Sequence, residues 1–356
     1  MRNRIKKLQE ILEKENLDLL LVTFLPNVRY LSGYTGTNGL ILISPHESLF
    51  LTDFRYKDQV SEQVKYSKIV IAERELILSL PTLSLLKPKR LKLGFEQNYL
   101  SCGTYTKLKA LLPNCLLVPT ENLVESLSVK KDQNEIDRIK KAVSITDRVL
   151  YEILDFVKPQ VKEQDLAAEI EFRFKKYGSS APFFETIVAS GKRSALPHGV
   201  ASSKRIEKGD LVTLDMGAVY DGYTADLTRT VVVGKANKKQ KEVYNIVLKA
   251  QKQALSKVKP KIKARDLDKV ARDIIKRAGY DKYFGHGLGH GIGGLIHDSP
   301  LINPRNQQLL ETGMVITIEP GIYIPNWGGV RIEDDVLVTK RGCEVLTKAE
   351  KNLIEL

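Results

Sequence analysis

The first 120 residues alternate between segments with helical periodicity and short apolar segments typical of strands. Within MRNRIKKLQEILEKEN, the apolar residues Ile5, Leu8, Ile11 and Leu12 recur at helical spacing, which predicts an amphipathic first helix. The apolar run LDLLLVTF comes next. Further strands are expected at 39–43, 49–53 and 91–96, and helices from about residue 54 and at 101–112. This alternation predicts an α/β domain.

Beyond residue 130, long helical segments are separated by segments rich in Val and Ile. Asp132 followed by Glu135 is a capping-box-like signal for a helix, which we expect to extend to about Phe156 and to stop at Pro159. Further helices are predicted at about 163–176, from Asn237 onward and at 265–277. The remaining strand-like segments predict an α+β domain with a largely antiparallel sheet.

The length of 356 residues is more than one ordinary core accommodates, so two domains are expected. The stretch at 121–133, ENLVESLSVKKDQ, separates the two patterns. We place the N-terminal domain at 1–124 and the second domain at 125–356. Hydrophobic residues make up 42% of the chain and charged residues 28%, as in a water-soluble globular protein.

Targeting and redox signals predict a cytoplasmic protein. The longest apolar run, from Leu17 to Pro26, is far shorter than the roughly 20 residues of a membrane span. The amino terminus carries charges throughout and has no apolar signal core. Cys102, Cys115 and Cys343 are scattered and match neither a disulfide framework nor a metal pattern. We therefore expect a reducing compartment and no membrane partner.

The net charge of +13 raises the alternative of a nucleic-acid partner. Much of the excess lies at 130–141 and 235–263, where lysines alternate with apolar helix positions as on a solvated amphipathic face. Neither aromatic–basic interleaving nor a nucleic-acid motif accompanies these lysines. We therefore favour a solvated face and expect no nucleic-acid partner.

The segment at 211–233, LVTLDMGAVYDGYTADLTRTVVV, has the signature of a tight hairpin. Two β-rich runs flank Asp221-Gly222, which is a strong signal for a two-residue turn. The residues on either side of the turn, Tyr220 and Tyr223, are expected to pair. Their pairing sets the register of the whole hairpin.

In that register Asp215 faces Thr228 and Asp226 faces Gly217, and all four residues share one face of the hairpin. The two aspartates are then diagonal neighbours about 7–8 Å apart at Cα, with the glycine leaving space between them. Such carboxylates could hold two cations about 3.5–4 Å apart. The alternative is a pair of exposed acids on an edge hairpin, and the hairpin alone does not decide between the two.

Four of the five histidines fall in two short segments, LPHGVAS at 196–202 and FGHGLGHGIGGLIHD at 284–298. His286 and His290 have the i, i+4 spacing of a helical zinc pair, but glycines surround them. Each glycine costs a helix about 1 kcal/mol relative to alanine, so a glycine-rich turn or strand is expected instead. Because the second segment contains no cysteine, a structural Cys/His zinc site is disfavoured.

Two glutamates lie at strand-like segments near the carboxyl terminus. Glu319 ends the strand of MVITIEPG, before a Pro-Gly pair that turns the chain. Glu333 lies in GGVRIEDDVLVT, where strand alternation places Arg331, Glu333 and Asp335 on one face. The alternative is a solvated acidic strand end, which suits Asp334 and Asp335 better than Glu333.

Together these segments predict a two-metal hydrolytic site. The candidate ligands are four carboxylates and one imidazole, namely Asp215, Asp226, His290, Glu319 and Glu333. Four carboxylates carry about the charge that neutralises two divalent cations. This ligand chemistry differs from that of a structural zinc site.

As a series, the motifs resemble those of the creatinase/aminopeptidase P/prolidase group of pita-bread metallopeptidases, to which methionine aminopeptidases are related. NVRYLSGYTGTNG and LFLTDFRY are similar to the creatinase-like N-terminal domain of its Xaa-Pro members. LPHGVAS, LDMGAVYDGYTADLTRT, HGLGHGIGGLIHD, TIEPGIYI and GVRIEDD match the catalytic domain in order. The resemblance implies a creatinase-like α/β domain followed by an α+β pita-bread catalytic domain with a largely antiparallel, curved sheet.

The resemblance also implies roles for the five candidate ligands. Asp215 would bind one metal ion, and His290 and Glu319 would bind the other. Asp226 and Glu333 would bridge both ions. The oxygen-rich ligand set favours Mn²⁺, and Co²⁺ or Zn²⁺ could substitute.

The implied substrate is a peptide with proline after the scissile bond. His198 and His297 resemble the family's substrate-facing histidines, which help to bind substrate and to stabilise the transition state. Glu319 would accept a proton and donate it to the leaving nitrogen. Tyr323 and Arg331 match positions that line the same pocket. A shaped proline pocket is needed because the nitrogen of an Xaa-Pro bond carries no hydrogen for recognition.

One position departs from the prolidase pattern. Several prolidases carry an arginine four residues after the histidine that corresponds to His297, where it holds the dipeptide's carboxylate, and this chain has Leu301 there. A strict dipeptidase would need another cation, such as Arg331, Arg305 or a residue of a partner subunit. Cleavage of longer peptides, as by aminopeptidase P, is therefore slightly favoured over prolidase activity.

Other activities within the same fold fit the residues less well. A methionine aminopeptidase shares the metal cage but normally lacks the first 120 residues, and a creatinase-like hydrolase would not need metal ligands. From another class, the alternative is a catalytically inactive pita-bread binding module that uses its basic surface. Such proteins usually lose cage residues, and all five are present here. The family also implies a homodimer.

Overall fold

The computed structural model describes residues 1–73, 75–88, 90–180, 184–294 and 298–356. The chain divides into two compact units, Met1–Ser128 and Val129–Leu356. Residues 125–128, expected in the second domain, pack in the first unit. Asn27 donates a hydrogen bond to Glu125 at 2.8 Å, and Tyr30 donates one to the carbonyl of Leu127 at 2.9 Å.

The first unit contains one six-stranded mixed sheet. Its strands are β1 (Leu19–Val22), β2 (Leu40–Ile43), β3 (Ser48–Asp53), β4 (Lys68–Ala72), β5 (Leu91–Glu96) and β6 (Cys115–Thr120). Their spatial order is β4-β3-β2-β1-β5-β6. β5 is parallel to β1 and β6, and β3 is parallel to β4, whereas β2 is antiparallel to both of its neighbours.

Both faces of this sheet are covered by helices. The helices are α1 (Arg2–Lys14), α2 (Leu25–Ser32), α3 (Lys57–Gln63), α4 (Leu76–Ser79), α5 (Cys102–Leu111) and α6 (Glu125–Ser128). Leu20 and Val22 of β1 lie in a cluster with α1, α2 and α3, whereas Leu19 and Leu21 lie in a cluster with α4 and α5. A strand buried on both faces is uniformly apolar, so the predicted α/β domain is confirmed.

The described part of the second unit contains four α-helices, and the sequence marks the starts of two of them. Its helices are α7 (Gln133–Leu154), α8 (Glu163–Lys176), α9 (Lys238–Leu255) and α10 (Ala264–Arg277). Asp132 and Glu135 form the predicted capping box of α7, and Asn237 and Gln240 form one at α9. A cap of this kind contributes about 1 kcal/mol by satisfying free backbone N–H groups at the helix start.

The strands of the second unit pair only in the antiparallel sense among the described residues. They are β7 (Ile187–Ser190), β8 (Leu211–Met216), β9 (Val219–Tyr220), β10 (Tyr223–Thr224), β11 (Leu227–Val232), β12 (Gly289–Gly291), β13 (Asp298–Ile302), β14 (Val315–Ile318), β15 (Gly321–Ile324), β16 (Gly328–Arg331), β17 (Asp334–Val338) and β18 (Cys343–Val345). The larger sheets have the orders β11-β8-β7 and β13-β12-β14-β17-β18. The predicted α+β unit with a largely antiparallel sheet is therefore confirmed.

Strand alternation separates the apolar core of the second unit from its polar residues. Leu214 and Met216 of β8 belong to a cluster with α7 and α8. Asp215 between them points to the opposite face, where it lines a cavity. On the other side of the unit, α9 and α10 pack against Ile316 and Ile318 of β14. The helices thus support the strands from behind and leave the cavity face free.

One lysine of the basic stretch at 130–141 is not solvated. The side chain of Lys131 is 1% exposed, and its Nζ lies 2.8 Å from Oδ2 of Asp298, which is 3% exposed. The neighbouring Lys130 pairs with Glu311 at the surface, where both side chains are about half exposed.

Among the described residues, no helix combines the length and apolar character that crossing a bilayer requires.

We expect Lys131→Met to lower the free energy of unfolding by about 3–5 kcal/mol, because it leaves the buried Asp298 carboxylate without its partner. Lys130→Met removes the adjacent charge from an exposed ion pair and should cost at most about 1 kcal/mol. Denaturant unfolding of the two variants measures the difference. Equal effects would show that burial of the Lys131–Asp298 pair does not set its contribution.

Candidate metal centre

The hairpin of β8 to β11 has the register expected from its turn. Tyr220 pairs with Tyr223, and Asp215 pairs with Thr228. Asp221 and Gly222 have φ angles of 47° and 78°, as the turn type favoured between twisted strands requires. The predicted register is therefore confirmed, and it places the two aspartates on the cavity side of the hairpin.

The glycine-rich segment around His290 is a strand, as expected, and not a helix. His290 is the central residue of β12, which lies between β13 and β14. A Cβ on Gly289 would lie 2.1 Å from the carbonyl oxygen of Thr317, and one on Gly291 would lie 2.3 Å from that of Ser299. Only glycine therefore permits this close approach of the backbones. The backbone N–H of His290 donates to Oγ1 of Thr317 at 3.0 Å.

One cavity of about 350 Å³ brings the predicted site residues together. It is lined by all five candidate ligands and by three of the four candidate substrate residues: Asp215, Asp226, His290, Glu319, Glu333, His198, Tyr323 and Arg331. The remaining candidate, His297, lies outside the described residues. Leu301 and the apolar side chains of Phe184, Ile187 and Pro197 also line the cavity.

The tightest group within the cavity is formed by Asp226, His290 and Glu333. Each offers one ligand atom, and the three atoms lie within 4.8 Å of one another. Nε2 of His290 is 3.6 Å from Oδ2 of Asp226 and 3.3 Å from Oε1 of Glu319. Nδ1 of His290 lies 3.0 Å from the carbonyl of Gly291 and can donate to it. That bond orients the ring so that Nε2 faces the acids.

Burial and mutual repulsion shape the protonation of these acids. Burial, together with the surrounding carboxylates, raises the pKa of Asp226 and that of Glu333 well above their usual ranges. Burial also acts to raise the pKa of Glu319, but the hydrogen bond and charge of His290 outweigh it and lower that pKa to about 2. A divalent cation would relieve the repulsion between the acids, so their charges fit a metal.

Asp215 also has a carboxylate oxygen that is available to bind a cation. Its Oδ2 accepts from Nη2 of Arg331 at 2.6 Å, whereas its Oδ1 is buried and has no hydrogen-bond partner among the described residues. Buried carboxylate oxygens are rarely left without a partner. The free lone pairs of Oδ1 therefore suit a cation.

Arg331 donates hydrogen bonds to several side chains beside the acids of the cavity. Its Nε donates to Oγ1 of Thr228 at 2.9 Å, and its Nη1 donates to the hydroxyl of Tyr323 at 2.9 Å. The hydroxyl of Thr228 in turn donates to Oε2 of Glu333 at 2.6 Å. The guanidinium thus links one candidate bridging ligand to the substrate side of the cavity.

Two residues of this wall had no role in the sequence analysis. Nε2 of His286 lies 2.9 Å from the hydroxyl of Tyr323, and its Nδ1 lies 2.7 Å from the carbonyl of Gly287. Burial lowers the pKa of His286, which favours the neutral ring. Thr228 could have been found from the hairpin register, which places it opposite Asp215. For His286, the only signal was its position in the glycine-rich motif.

The alternative of a solvated acidic strand end does not hold for Asp334 and Asp335. The two residues are 0% and 1% exposed. Asp334 accepts from Nη2 of Arg229 and from the side chain of Gln251, and Asp335 accepts from the backbone N–H of Asp226 at 3.0 Å. Asp335 therefore positions a candidate ligand from behind. Periodicity missed this because the partners come from other strands and helices.

Two family models match the chain. The model of metallopeptidase family M24 matches residues 137–340, and the model of the creatinase/prolidase N-terminal domain matches residues 4–128. Both units are therefore accounted for by known families.

Individual relatives are similar over nearly the whole chain. A curated Xaa-Pro dipeptidase of Pyrococcus horikoshii is 41% identical over 361 residues, which cover 99% of each chain. Among solved structures, an Xaa-Pro dipeptidase from Bacillus anthracis is 44% identical, has a TM-score of 0.96 and matches over 99% of each chain. An X-Pro aminopeptidase from Thermotoga maritima is 36% identical with a TM-score of 0.90, over 96% of this chain and 98% of its own.

Proposed function

The chain belongs to metallopeptidase family M24 and carries a creatinase/prolidase N-terminal domain, and we propose that it hydrolyses the peptide bond that precedes proline. One observation carries the proposal: five ligand-type side chains share a single cavity with His198, Tyr323 and Arg331. The names of these relatives, an Xaa-Pro dipeptidase and an X-Pro aminopeptidase, support the same bond specificity.

The cavity would hold two divalent cations per chain. In this assignment Asp215 would hold one ion, His290 and Glu319 would hold the other, and Asp226 and Glu333 would be shared by both. The predominance of carboxylate oxygen ligands favours Mn²⁺, with Co²⁺ or Zn²⁺ able to substitute. Bound cations supply Lewis-acid polarisation of the scissile carbonyl and lower the pKa of a water.

The chain's own residues supply positioning and proton transfer. Glu319 lines the cavity, with Oε1 3.3 Å from Nε2 of His290, and its place in the motif assigns it the role of accepting a proton and passing it to the leaving nitrogen. His198 is exposed at the cavity and donates to the carbonyl oxygen as charge develops there. His297 is assigned the same kind of role from its motif.

Proline recognition rests on shape, because an Xaa-Pro nitrogen has no hydrogen to donate. Phe184, Ile187 and Pro197 give the cavity an apolar wall, and the ring of Tyr323 adds to it. Arg331 and His286 hold the Tyr323 hydroxyl from two sides. The ring is therefore fixed before substrate enters, which favours a rigid proline ring.

Among the described residues that line the cavity, Arg331 is the only lysine or arginine that could pair with a dipeptide's carboxylate. Leu301 is half exposed at the cavity. The guanidinium of Arg331 is already engaged by Thr228, Tyr323 and Asp215. Arg305 is exposed, and its backbone N–H bonds to Asn303, which lines the cavity. The leucine at position 301 and the engaged guanidinium of Arg331 support cleavage of longer peptides ahead of dipeptides.

We expect the kcat/KM for Ala-Pro-Ala to be at least equal to that for Ala-Pro. A charged hydrogen bond to the dipeptide carboxylate is worth about 1.5–3 kcal/mol, and its absence should weaken dipeptide preference by roughly 10- to 150-fold. Leu301→Arg should shift the ratio toward Ala-Pro, and Leu301→Met is the matched control. A ratio far below one in the unmodified protein would give the prolidase assignment first place.

The alternative function is an inactive pita-bread module that binds a partner through its basic surface. Metal analysis of the purified protein, followed by assay of Ala-Pro-Ala before and after metal removal and restoration, separates the two. Hydrolysis that is lost with the metal and returns with it supports the peptidase. The proposal also includes a homodimer and a cytoplasmic location, which the family resemblance and the scattered cysteines support.

A further inference from the structure

A single buried carboxylate holds both ends of the segment that carries His198. Glu163, the first residue of α8, is fully buried. Its Oε1 accepts from the backbone N–H of Ser190 at 2.7 Å and from that residue's hydroxyl at 2.8 Å. Its Oε2 accepts from the backbone N–H of Ser202 at 3.1 Å and from that hydroxyl at 2.6 Å. One oxygen thus serves each end of the segment.

The segment at 190–202 leaves β7, passes through a 3₁₀ turn at Gly191–Ala195 and then presents Pro197 and His198 to the cavity. Within it, Nε of Arg193 donates to Oε2 of Glu163 at 2.9 Å, and Nη2 of the same arginine donates to the carbonyl of Val200 at 2.5 Å. Arg193 therefore neutralises the buried carboxylate and ties it to the chain two residues after His198.

The cavity side of the segment has contacts of its own: Val200 forms a β-bridge with Ile187, and the backbone N–H of Gly199 donates to the carbonyl of Leu196 at 3.1 Å. Nη1 of Arg331 donates to the carbonyl of Pro197 at 3.2 Å, and the hydroxyl of Ser194 accepts from the backbone N–H of Gly329 at 2.8 Å. His198 itself is exposed. Its position therefore depends on the backbone of the segment that carries it, and Glu163 anchors both ends of that segment.

We propose that Glu163 is a positioning residue that holds His198 at the place where the scissile carbonyl binds. The inference rests on the proposed peptidase function and extends it, because Glu163 contacts neither the five candidate ligands nor the cavity. A carboxylate suits this task because it accepts several bonds at once and has no proton to donate. An amide of the same size would present one NH₂ group to donors that need an acceptor.

The test is a double-mutant cycle between Glu163→Gln and His198→Ala, with Ala-Pro-Ala as substrate. We expect Glu163→Gln alone to lower kcat by about 10- to 100-fold, as displacement of a catalytic group by about 1 Å can do, with metal content unchanged. In the His198→Ala background it should lower kcat by less than about twofold, because there is no longer a side chain to misplace. Equal effects in both backgrounds would overturn the proposal.

Asp147→Asn is the matched control. Asp147 is also buried and accepts two backbone N–H groups, those of Lys348 and Ala349, but it does not contact the segment at 190–202. This variant should lose thermal stability while its kcat stays within about twofold of the unmodified protein's. If Glu163→Gln does not fold, Ser202→Ala replaces it, because it removes one anchor and keeps the carboxylate; a fully additive effect with His198→Ala would then overturn the proposal.

The outcomes separate this inference from the proposed function. If His198→Ala lowers kcat and Glu163→Gln acts independently of it, the positioning role fails and the peptidase assignment stands. If His198→Ala leaves kcat unchanged, the role proposed for His198 fails, and the positioning role fails with it. Absence of any Xaa-Pro hydrolysis in the unmodified, metal-loaded protein would overturn the proposed function itself.

Discussion

Glu333→Ala and Asp226→Ala are each expected to abolish measurable turnover of Ala-Pro-Ala and to reduce the metal content below two ions per chain. Both carboxylates are proposed bridges, so the loss of either one affects both ions. The decrease in kcat/KM should exceed the roughly 10²- to 10³-fold that follows the loss of a single oxyanion donor. Metal analysis and kinetics on the same preparation measure both effects.

Hydrogen bonds hold the two proposed bridging acids in place. Oε2 of Glu333 is held by the hydroxyl of Thr228, and Asp226 is held through its backbone by Asp335. Asp335 points to the backbone of Asp226 and is not part of the cavity lining.

The matched control is Glu344→Ala, which removes a carboxylate from β18 of the same unit, where it forms a partly exposed pair with Lys140. That variant should keep its metal and its activity. Purified Glu333→Ala with full metal content and full turnover would rule out the proposed cage.

Selectivity for proline is the second large effect that we expect. The kcat/KM for Ala-Pro-Ala should exceed that for Ala-Ala-Ala by on the order of 100-fold, the upper part of the range that a shaped apolar pocket achieves. The apolar wall of Phe184, Ile187 and Pro197 accommodates the proline ring, whereas alanine leaves it partly empty. The two peptides differ only in the residue after the scissile bond.

Four further peptides, two tripeptides and two dipeptides, control for effects of peptide length. Arg-Pro-Pro and Gly-Pro should be hydrolysed, whereas Met-Ala-Ser and Leu-Leu should be poor substrates. Faster or equal cleavage of the two proline-free peptides would contradict the assignment to Xaa-Pro bonds. Such a result would favour a general aminopeptidase activity that uses the same metal ligands.

Local chemistry was sufficient to predict the elements that present the site. The Asp221-Gly222 turn determines the register of its hairpin, because only a left-handed backbone at both positions matches the twist of the strands. The glycines around His290 exclude a stable helix and predict close backbone packing. The capping pairs at Asp132 and Asn237 place the starts of two helices.

The partners of buried charged residues could not be predicted in the same way. A solvated strand end was the alternative considered for Asp334 and Asp335, but Arg229 and the backbone of Asp226 hold them in the interior. Lys131, in a stretch expected to be solvated, is buried against Asp298. In each case the partner is far away in the sequence, so no periodicity within one segment records the contact.

The sequence by itself determined the two-unit α/β and α+β organisation and the family resemblance. It did so because side-chain periodicity, turn residues and helix caps act within a few residues of chain. Only the tertiary structure decided that Arg331 joins Asp215 to Tyr323, and that Glu163 anchors the segment bearing His198. These contacts depend on how strands and helices from distant parts of the chain pack, and a buried charge is stabilised only where that packing supplies its partners.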